Sequence, residues 1–402
     1  MFDSIYIGLS GLQGFSKGLK VISNNVTNLN TPGFKSSDLR FADAFYQQGM
    51  PNGGYTLGDG QTQYGTGLAT LSTRINFQAG DTRQTGNALD LSIGGEGMFI
   101  LQDKDSAELS YTRAGQFQFD KNGDLISGST GKYVMGFAAG SSDGELGRIS
   151  LNSLRTNAAK ATSTVAFTGN LSSTADSFDL SAVKLIDSVG GEHLVRLNFK
   201  SKAGTTPGVW TVTVFDGTTS LTSGDIKFND GVPDPAQDTL NLSYTPSGGT
   251  AFDVKFDFSA NVTSFASGTT STLAFASQDG FAMGTMTAGG FDKDGTLSIT
   301  YSNGQTAKRG RLALATFESN LGLTQTGAGE FVAGDVQARH LALPGDAGLG
   351  EVESGQLELS NVDLSAQFSD LIVMQRGYQA SSHVISTAND MIQQLFDMKG
   401  GR

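Results

Sequence analysis

Apolar residues recur every seven positions at both ends of this chain and every second position in between. Near the start, Ile5, Leu12, Leu19 and Val26 form one seven-residue series, and Gly8, Phe15, Ile22 and Leu29 form a second, three positions on. Two such series make the a/d seam of a helix that packs against another, so residues 1–29 are predicted helical. Gly8, Gly11, Gly14 and Gly18 sit inside that pattern, and each costs about 1 kcal/mol relative to alanine in a helix interior. The helix should be poor alone and needs a partner surface along its length. Ser4, Gly11, Gly18 and Asn25, again seven apart, mark a second face where another helix could come close.

The other terminus carries a matching pattern. Leu364, Leu371, Tyr378, Ile385 and Ile392 repeat every seven residues, with Met374, Ser381, Ala388 and Leu395 three positions after the later members. Asp363 offers a negative charge at the expected start and Lys399, Gly400 and Gly401 an expected end, as the helix dipole and C-cap preferences favour. Burying a Leu or Ile contributes roughly 1.5–3 kcal/mol, so joined seams could offset the glycine penalties. A pair of helices, however, leaves much apolar surface wet, and this points to assembly.

Between the helices the period becomes two. Val195/Leu197/Phe199, Trp210/Val212/Val214, Leu240/Leu242/Tyr244 and Phe252/Val254/Phe256/Phe258 alternate with polar residues, the mark of half-buried antiparallel strands. FDKNGDL at 119–125 and FDKDGTL at 291–297 form a faint internal repeat, predicted as hairpins turning on Asn-Gly and Asp-Gly. The expected fold class is α+β and multidomain, with terminal helices forming a coiled-coil domain and mainly antiparallel β domains, nested and discontinuous. The expected boundaries are 1–35 and 362–402 for the helical domain, 36–86 for an extended linker rich in Gly and Gln, 87–145 and 282–361 for an inner β domain, and 146–281 for an inserted outer β domain.

The first helical pattern ends in SNNVTNLNTPGFK, residues 23–35. Asn24, Asn25, Asn28 and Asn30 compete for backbone groups and favour a helix end, while Pro32 and Gly33 suit positions two and three of a type II turn. Two readings stand here: a C-cap and turn only, or a cap whose amides also bridge to neighbouring chains.

Composition narrows the function. A formal charge of −12 gives the chain no general attraction for phosphate backbones, so nucleic-acid binding is not expected. No run approaches the ~20 apolar residues that span a bilayer, and MFDSIYIGLSGLQGF lacks a basic segment before an apolar one, so neither membrane insertion nor a cleavable signal peptide is expected. With no cysteine, disulfides, thiol catalysis and thiolate metal sites are excluded together. His193, His340 and His383 are far apart and none has a two-His helical spacing. GSTGK at 128–132 is too short for a phosphate loop, and the glycine of DKNGD comes too early for a Ca²⁺ loop. No catalytic, metal or cofactor site is therefore assigned.

SNNVTNLNTPGFK closely resembles the N-terminal signature of the flagellar rod and hook family of bacterial axial proteins. GEGMFIL at 95–101, YTRAGQFQFDKNGDLI at 111–126 and LELSNVDLSAQFSDLIVMQRGYQASSHVISTANDMIQQLF at 357–396 are similar to other shared blocks of that family. The resemblance covers roughly 1–145 and 282–402 and is weak over 146–281, a region that varies within the family. Rod-type members are generally shorter, and a chain of this length with a large inserted β domain looks like a hook-type member.

The resemblance implies a helical homopolymer outside the cell, exported by the flagellar type III apparatus. It implies a flexible universal joint carrying torque from rod to filament, with rod, hook-cap and hook-filament junction proteins as partners. The expected polymer interface is the helical seams: Ile5, Leu12, Phe15, Leu19, Ile22, Val26 and Leu29 on one side, Leu364, Leu371, Met374, Tyr378, Ile385, Ala388, Ile392 and Leu395 on the other. The helix-end signature is Asn24, Asn25, Asn28, Pro32, Gly33 and Phe34. The competing expectations are a distal rod subunit, rigid rather than bendable, and a secreted β-rich adhesin using 146–281 as a ligand module.

Overall fold

The computed structural model describes residues 2–44, 46–48, 63–137, 146–317, 322–334, 339–346 and 348–400. The chain folds into two compact units. The first comprises Met1–Asn152, Gly289–Ser298 and Lys308–Arg402, the second Ser153–Ala288 and Ile299–Ala307.

The first unit contains both helices. α1 runs Phe2–Thr27 and α2 runs Leu364–Gly400. α1 stops two residues before Leu29, because the asparagine cluster turns the chain there, so Leu29 lies beyond the helix. Asp363 caps α2 by accepting from Ser365 N at 2.9 Å and Ala366 N at 3.2 Å, which satisfies amides that the first helical turn leaves free. Gly401, expected in the closing cap, lies outside the described residues.

Residues 36–86, expected as an extended linker, contain paired strands. Ser37–Asp43 and Leu68–Ile75 form an antiparallel ribbon with a bulge between Arg40 and Phe41, and Tyr46–Gln48 pairs with Gln63–Gly65. Residues 45 and 49–62 of that segment lie outside the described residues. The ribbon has too few apolar residues to announce itself by alternation. It needs only one apolar patch, because α1 covers it: Phe41 and Leu68 both approach Gly14, and the Phe15 and Phe41 rings are 6.2 Å apart.

Inner β structure completes the first unit. Met98–Gln102 pairs with Leu109–Thr112, Tyr133–Phe137 and Leu314–Phe317. Its core joins Met98, Ile100, Tyr111, Met135, Phe137 and Phe331, and Phe77 packs on Phe331 at 5.2 Å. Two short ladders bring distant parts of this unit together. Leu91–Gly94 pairs with Glu351–Ser354, and Thr82–Gln84 pairs with Gln356–Glu358, so the strand leading into α2 is held beside the segment that comes after the ribbon.

The second unit is a β sandwich with a single core. One sheet is antiparallel, running Ser177–Ile186, Glu192–Ser201, Val209–Asp216, Thr219–Asn229 and Val232–Pro233. The other contains Thr239–Tyr244, Phe252–Thr263, Thr164–Asn170 and Ala274–Gln278, with Thr164–Asn170 parallel to Phe252–Thr263. Side chains from both sheets, among them Phe167, Leu197, Phe199, Trp210, Val212, Phe256 and Phe258, form one buried cluster. Asp279 ties the rim by accepting from Ser163 Oγ at 2.6 Å, Thr164 N at 2.9 Å and Lys160 Nζ at 3.0 Å. Burial alone would raise this carboxyl, but those hydrogen bonds outweigh it and hold it well below the usual aspartate range.

Candidate assembly site: the terminal helices and their buried junction

α1 and α2 pack antiparallel. Gly8 lies against Ile385, Gly11 against Ser381, Phe15 against Gly377, Gly18 against Met374, and Asn25 bonds Gln367, so each step along α1 is matched, to within one residue, by a step backwards along α2. The face that α1 turns to α2 is therefore the stripe of small residues expected to receive another helix, together with Gly8, Phe15 and Ile22. A Cβ at Gly8 would stand 2.7 Å from Ile385 Cγ1, and one at Gly18 would stand 2.9 Å from Met374 Sδ. These glycines permit an approach that alanine would obstruct, which is what their helix-propensity cost obtains. Gly14, on the adjoining flank of the same stripe, lets the ribbon come equally close.

The other seam residues take different places. Ile5, Leu12, Leu19 and Val26 are half-buried, as are Phe15 and Leu29, while Ile22 is buried. On α2, Leu371, Met374, Ile385 and Ile392 are half-buried, Ala388 is buried, and Leu364, Tyr378 and Leu395 are exposed. Larger apolar side chains that the seven-residue series had not included point outward. Ile372 is 59% exposed, Val373 62% and Phe396 69%, and Tyr6 and Phe368 are also exposed.

The helix-end signature folds back into the chain. Asn24 is exposed and Asn28 half-buried, and Asn28 Nδ2 donates to Asn24 O at 2.9 Å. Pro32 is half-buried. Phe34 N donates to Thr31 O at 3.2 Å across it, and Gly33 has φ +69°. A Cβ on Gly33 would lie 2.4 Å from Ala114 N, so both the left-handed backbone and the contact require glycine. Gly33 N donates to Glu358 O at 2.8 Å, and the Phe34 side chain is buried.

Directly after that turn lies a buried ionic cluster. Lys35 Nζ donates to Glu358 Oε1 at 2.5 Å and Gln78 O at 2.6 Å. Arg113 donates to Glu358 Oε2 at 3.1 Å and Gly95 O at 2.6 Å, and Gly80 N donates to Glu358 Oε1 at 3.0 Å. All three charged residues are buried. Burial pushes the Lys35 ammonium below the usual lysine range, Glu358 pulls it back, and Arg113 pushes it down further. Beside the cluster, Asn361 accepts from Ser36 N at 2.8 Å and donates to Asn76 O at 2.8 Å and Gln78 O at 2.9 Å. One knot thus joins the end of α1, both ends of the ribbon, the inner β structure and the strand leading into α2.

Sequence patterns did not single out Lys35, Arg113, Glu358, Asn361 or Gln367. Lys35 and Glu358 are separated by 323 positions, and no periodicity couples residues so far apart. Their only signal was membership of the stretches that resemble the axial family.

Three family profiles match parts of this chain: the flagella basal body rod protein family over residues 5–35, the flagellar hook protein FlgE/F/G D1 domain over 92–172, and the flagellar basal body rod FlgEFG protein C-terminal region over 353–398. The helix pair, its junction and part of the inner β structure are thus those of a flagellar axial protein. The flagellar hook protein FlgE of Borreliella burgdorferi is 31% identical, with 99% of this chain and 100% of the relative covered, and that of Salmonella typhimurium is 30% identical, covering 97% and 98%. The flagellar basal-body rod protein FlgG of Bacillus subtilis is 25% identical over 99% of this chain and all of its own. A crystal structure of Helicobacter pylori flagellar hook protein FlgE2 shares the fold with a TM-score of 0.52 at 13% identity, covering 67% of this chain and 99% of that one.

The chain belongs to the flagellar hook protein FlgE family. It is a structural, non-enzymatic subunit of the bacterial flagellar hook, located on the extracellular side. None of the described helices is long and apolar enough to cross a membrane.

Proposed function

We propose that copies of this chain polymerise through the outward apolar stripe of α1 and α2 into a curved, flexible helical tube that acts as a universal joint between rod and filament. The observation that carries this reading is the exposure of Ile372 and Val373 away from the side of α2 that packs on α1, with Phe396 uncovered further along, where α2 runs past the end of α1. Phe368 and Ile372, four residues apart, are exposed on one face of α2, and neighbouring exposed apolar side chains of this kind mark an interaction site. Seams between helices resist torsion because knobs and holes lock axial register, while polar contacts elsewhere can slide as protofilaments shorten and lengthen.

In the polymer, 1–35 and 362–402 would form the helical core, 87–145 with 282–361 the tube wall, and 146–281 the outer surface. The seam residues named from the sequence, apart from Ile22 and Ala388, which are already buried within the chain, would line the interface along with Ile372, Val373 and Phe396. Rod, hook-cap and hook-filament junction proteins are the expected partners, with delivery by the flagellar export apparatus without a cleavable signal.

The test is the double substitution Ile372→Asp/Val373→Asp. Sedimentation and electron microscopy should find it monomeric under conditions that polymerise the parent chain, with β-sheet circular dichroism unchanged. Normal tubes from the double variant would overturn the reading. The 25% identity to a basal-body rod protein supports one rival, a rigid distal rod. Straight purified polymers would favour it over the hook.

A further inference from the structure

The seam between α1 and α2 is made of notches. At successive layers a glycine on one helix receives a side chain from the other: Gly8 with Ile385, Gly11 with Ser381, Gly18 with Met374, and Gly377 with Phe15. Three of these notches lie on α1 and recur at helical spacing, so a slip of one heptad would bring Met374 opposite Gly11 and leave glycine facing a side chain there, although Phe15 would lose its notch at Gly377. Shape alone therefore discriminates between registers chiefly at the single Phe15–Gly377 layer. Asn25 and Gln367 differ from every other seam position, being the only buried polar residues of α1 and α2 among the described residues. Asn25 Nδ2 donates to Gln367 Oε1 at 2.9 Å and to Ser37 O at 2.9 Å, and its Oδ1 accepts from Ser37 N at 3.0 Å. One amide thus closes a ladder-like pair with the first ribbon residue and spends its remaining donor on α2.

We propose that Asn25 is the register pin of the terminal helix pair, holding α1, α2 and the ribbon at one axial setting through Gln367 and Ser37. In a shifted register Gln367 would lie opposite Gly18 and Asn25 would lose its partner on α2, leaving buried amide groups unsatisfied. A single buried polar layer is known to set register in coiled coils at some expense of stability, and here it stands at the end of the seam nearest the ionic cluster.

The chain has no cysteine, so engineered disulfides can read the register directly. A Cβ on Gly11 would lie 3.4 Å from Ser381 Cβ, close to the separation of about 3.5–4.5 Å that a disulfide spans. Met374 lies one heptad away, roughly 10 Å along the axis. In the full-length chain under mild oxidation, Gly11→Cys/Ser381→Cys should close within the chain and Gly11→Cys/Met374→Cys should not. Adding Asn25→Asp, which keeps the shape but removes both donors, or Asn25→Leu should lower the first yield about fivefold or more and raise the second. Ile22→Val, which loosens the same end of the seam without touching a polar group, should leave both yields as they were. Unchanged yields in the Asn25 variants would overturn the proposal. So would loss of both disulfides, which would mark Asn25 as a stabilising residue without a role in register, and so would failure of the first pair in the otherwise native chain.

Discussion

The sandwich and the helix pair treat their large apolar residues in opposite ways. In the second unit Trp210, Phe199, Phe256 and Phe258 are buried between two sheets of one chain, and the polar residues that alternate with them face outward. In the helix pair the closest contacts are made by glycines, and phenylalanine, isoleucine and valine face solvent. A sandwich has two inner faces and can cover both itself. Two helices share one seam, and a helix that is apolar beyond its seam needs further neighbours. The sandwich should be stable as a free chain, whereas the helices should gain order from copies of themselves.

Several substitutions would break or sharpen that contrast. The largest effect is expected for Glu358→Gln, which leaves Lys35 and Arg113 buried without their counter-charge and should cost the first unit about 3–5 kcal/mol. The sandwich should be untouched, so hydrogen exchange followed by mass spectrometry should report early opening of the ribbon base and helix ends only. If the sandwich opened equally, the two regions would not be independent. Leu197→Ala should reverse the pattern, destabilising the sandwich by about 3 kcal/mol through the cavity it leaves while helix protection stays unchanged.

Lys35→Met should be far milder than Glu358→Gln, within about 1 kcal/mol, because Arg113 still neutralises Glu358 and a costly buried ammonium is removed. Denaturant titration compares the two directly, and equal losses would contradict the charge argument. A smaller effect concerns pH. The folded pKa of Asp279 is depressed, so its contribution is complete above the ordinary aspartate pKa near 3.8 and fades as pH falls through that value towards the folded one. Thermal melts of the sandwich transition should therefore decline below about pH 4, and Asp279→Asn should flatten part of that decline. An identical pH profile in the variant would assign the loss to other carboxylates.

The two regions also differ in how far their sequence could be read. The sandwich strands follow from alternation, since Val195/Leu197/Phe199 and Trp210/Val212/Val214 are buried while the residues between them are less so. The parallel pairing of Thr164–Asn170 with Phe252–Thr263 was not readable, because alternation says which face is apolar and nothing about which strand lies alongside. The helices were readable as helices, but which of their stripes meet was not. Of the heptads that drew attention first, that of Gly8, Phe15 and Ile22 does face α2, but its close companion there is the series containing Gly11, Gly18 and Asn25 rather than that of Ile5. A small residue carries little hydrophobic signal, although it allows the closest approach. The ribbon was missed for the related reason that α1 supplies most of its apolar cover.

From the sequence alone came the α+β class, the two terminal helices, the period-two strands and the axial-protein resemblance, because each rests on local spacing or on long contiguous blocks. Tertiary structure alone decided that Lys35, Arg113 and Glu358 share one buried site, that Asn25 meets both Gln367 and Ser37, and which apolar residues of the helices remain uncovered. These are contacts between segments distant along the chain. Their free energy comes from desolvation and close approach in three dimensions, neither of which leaves a periodic trace.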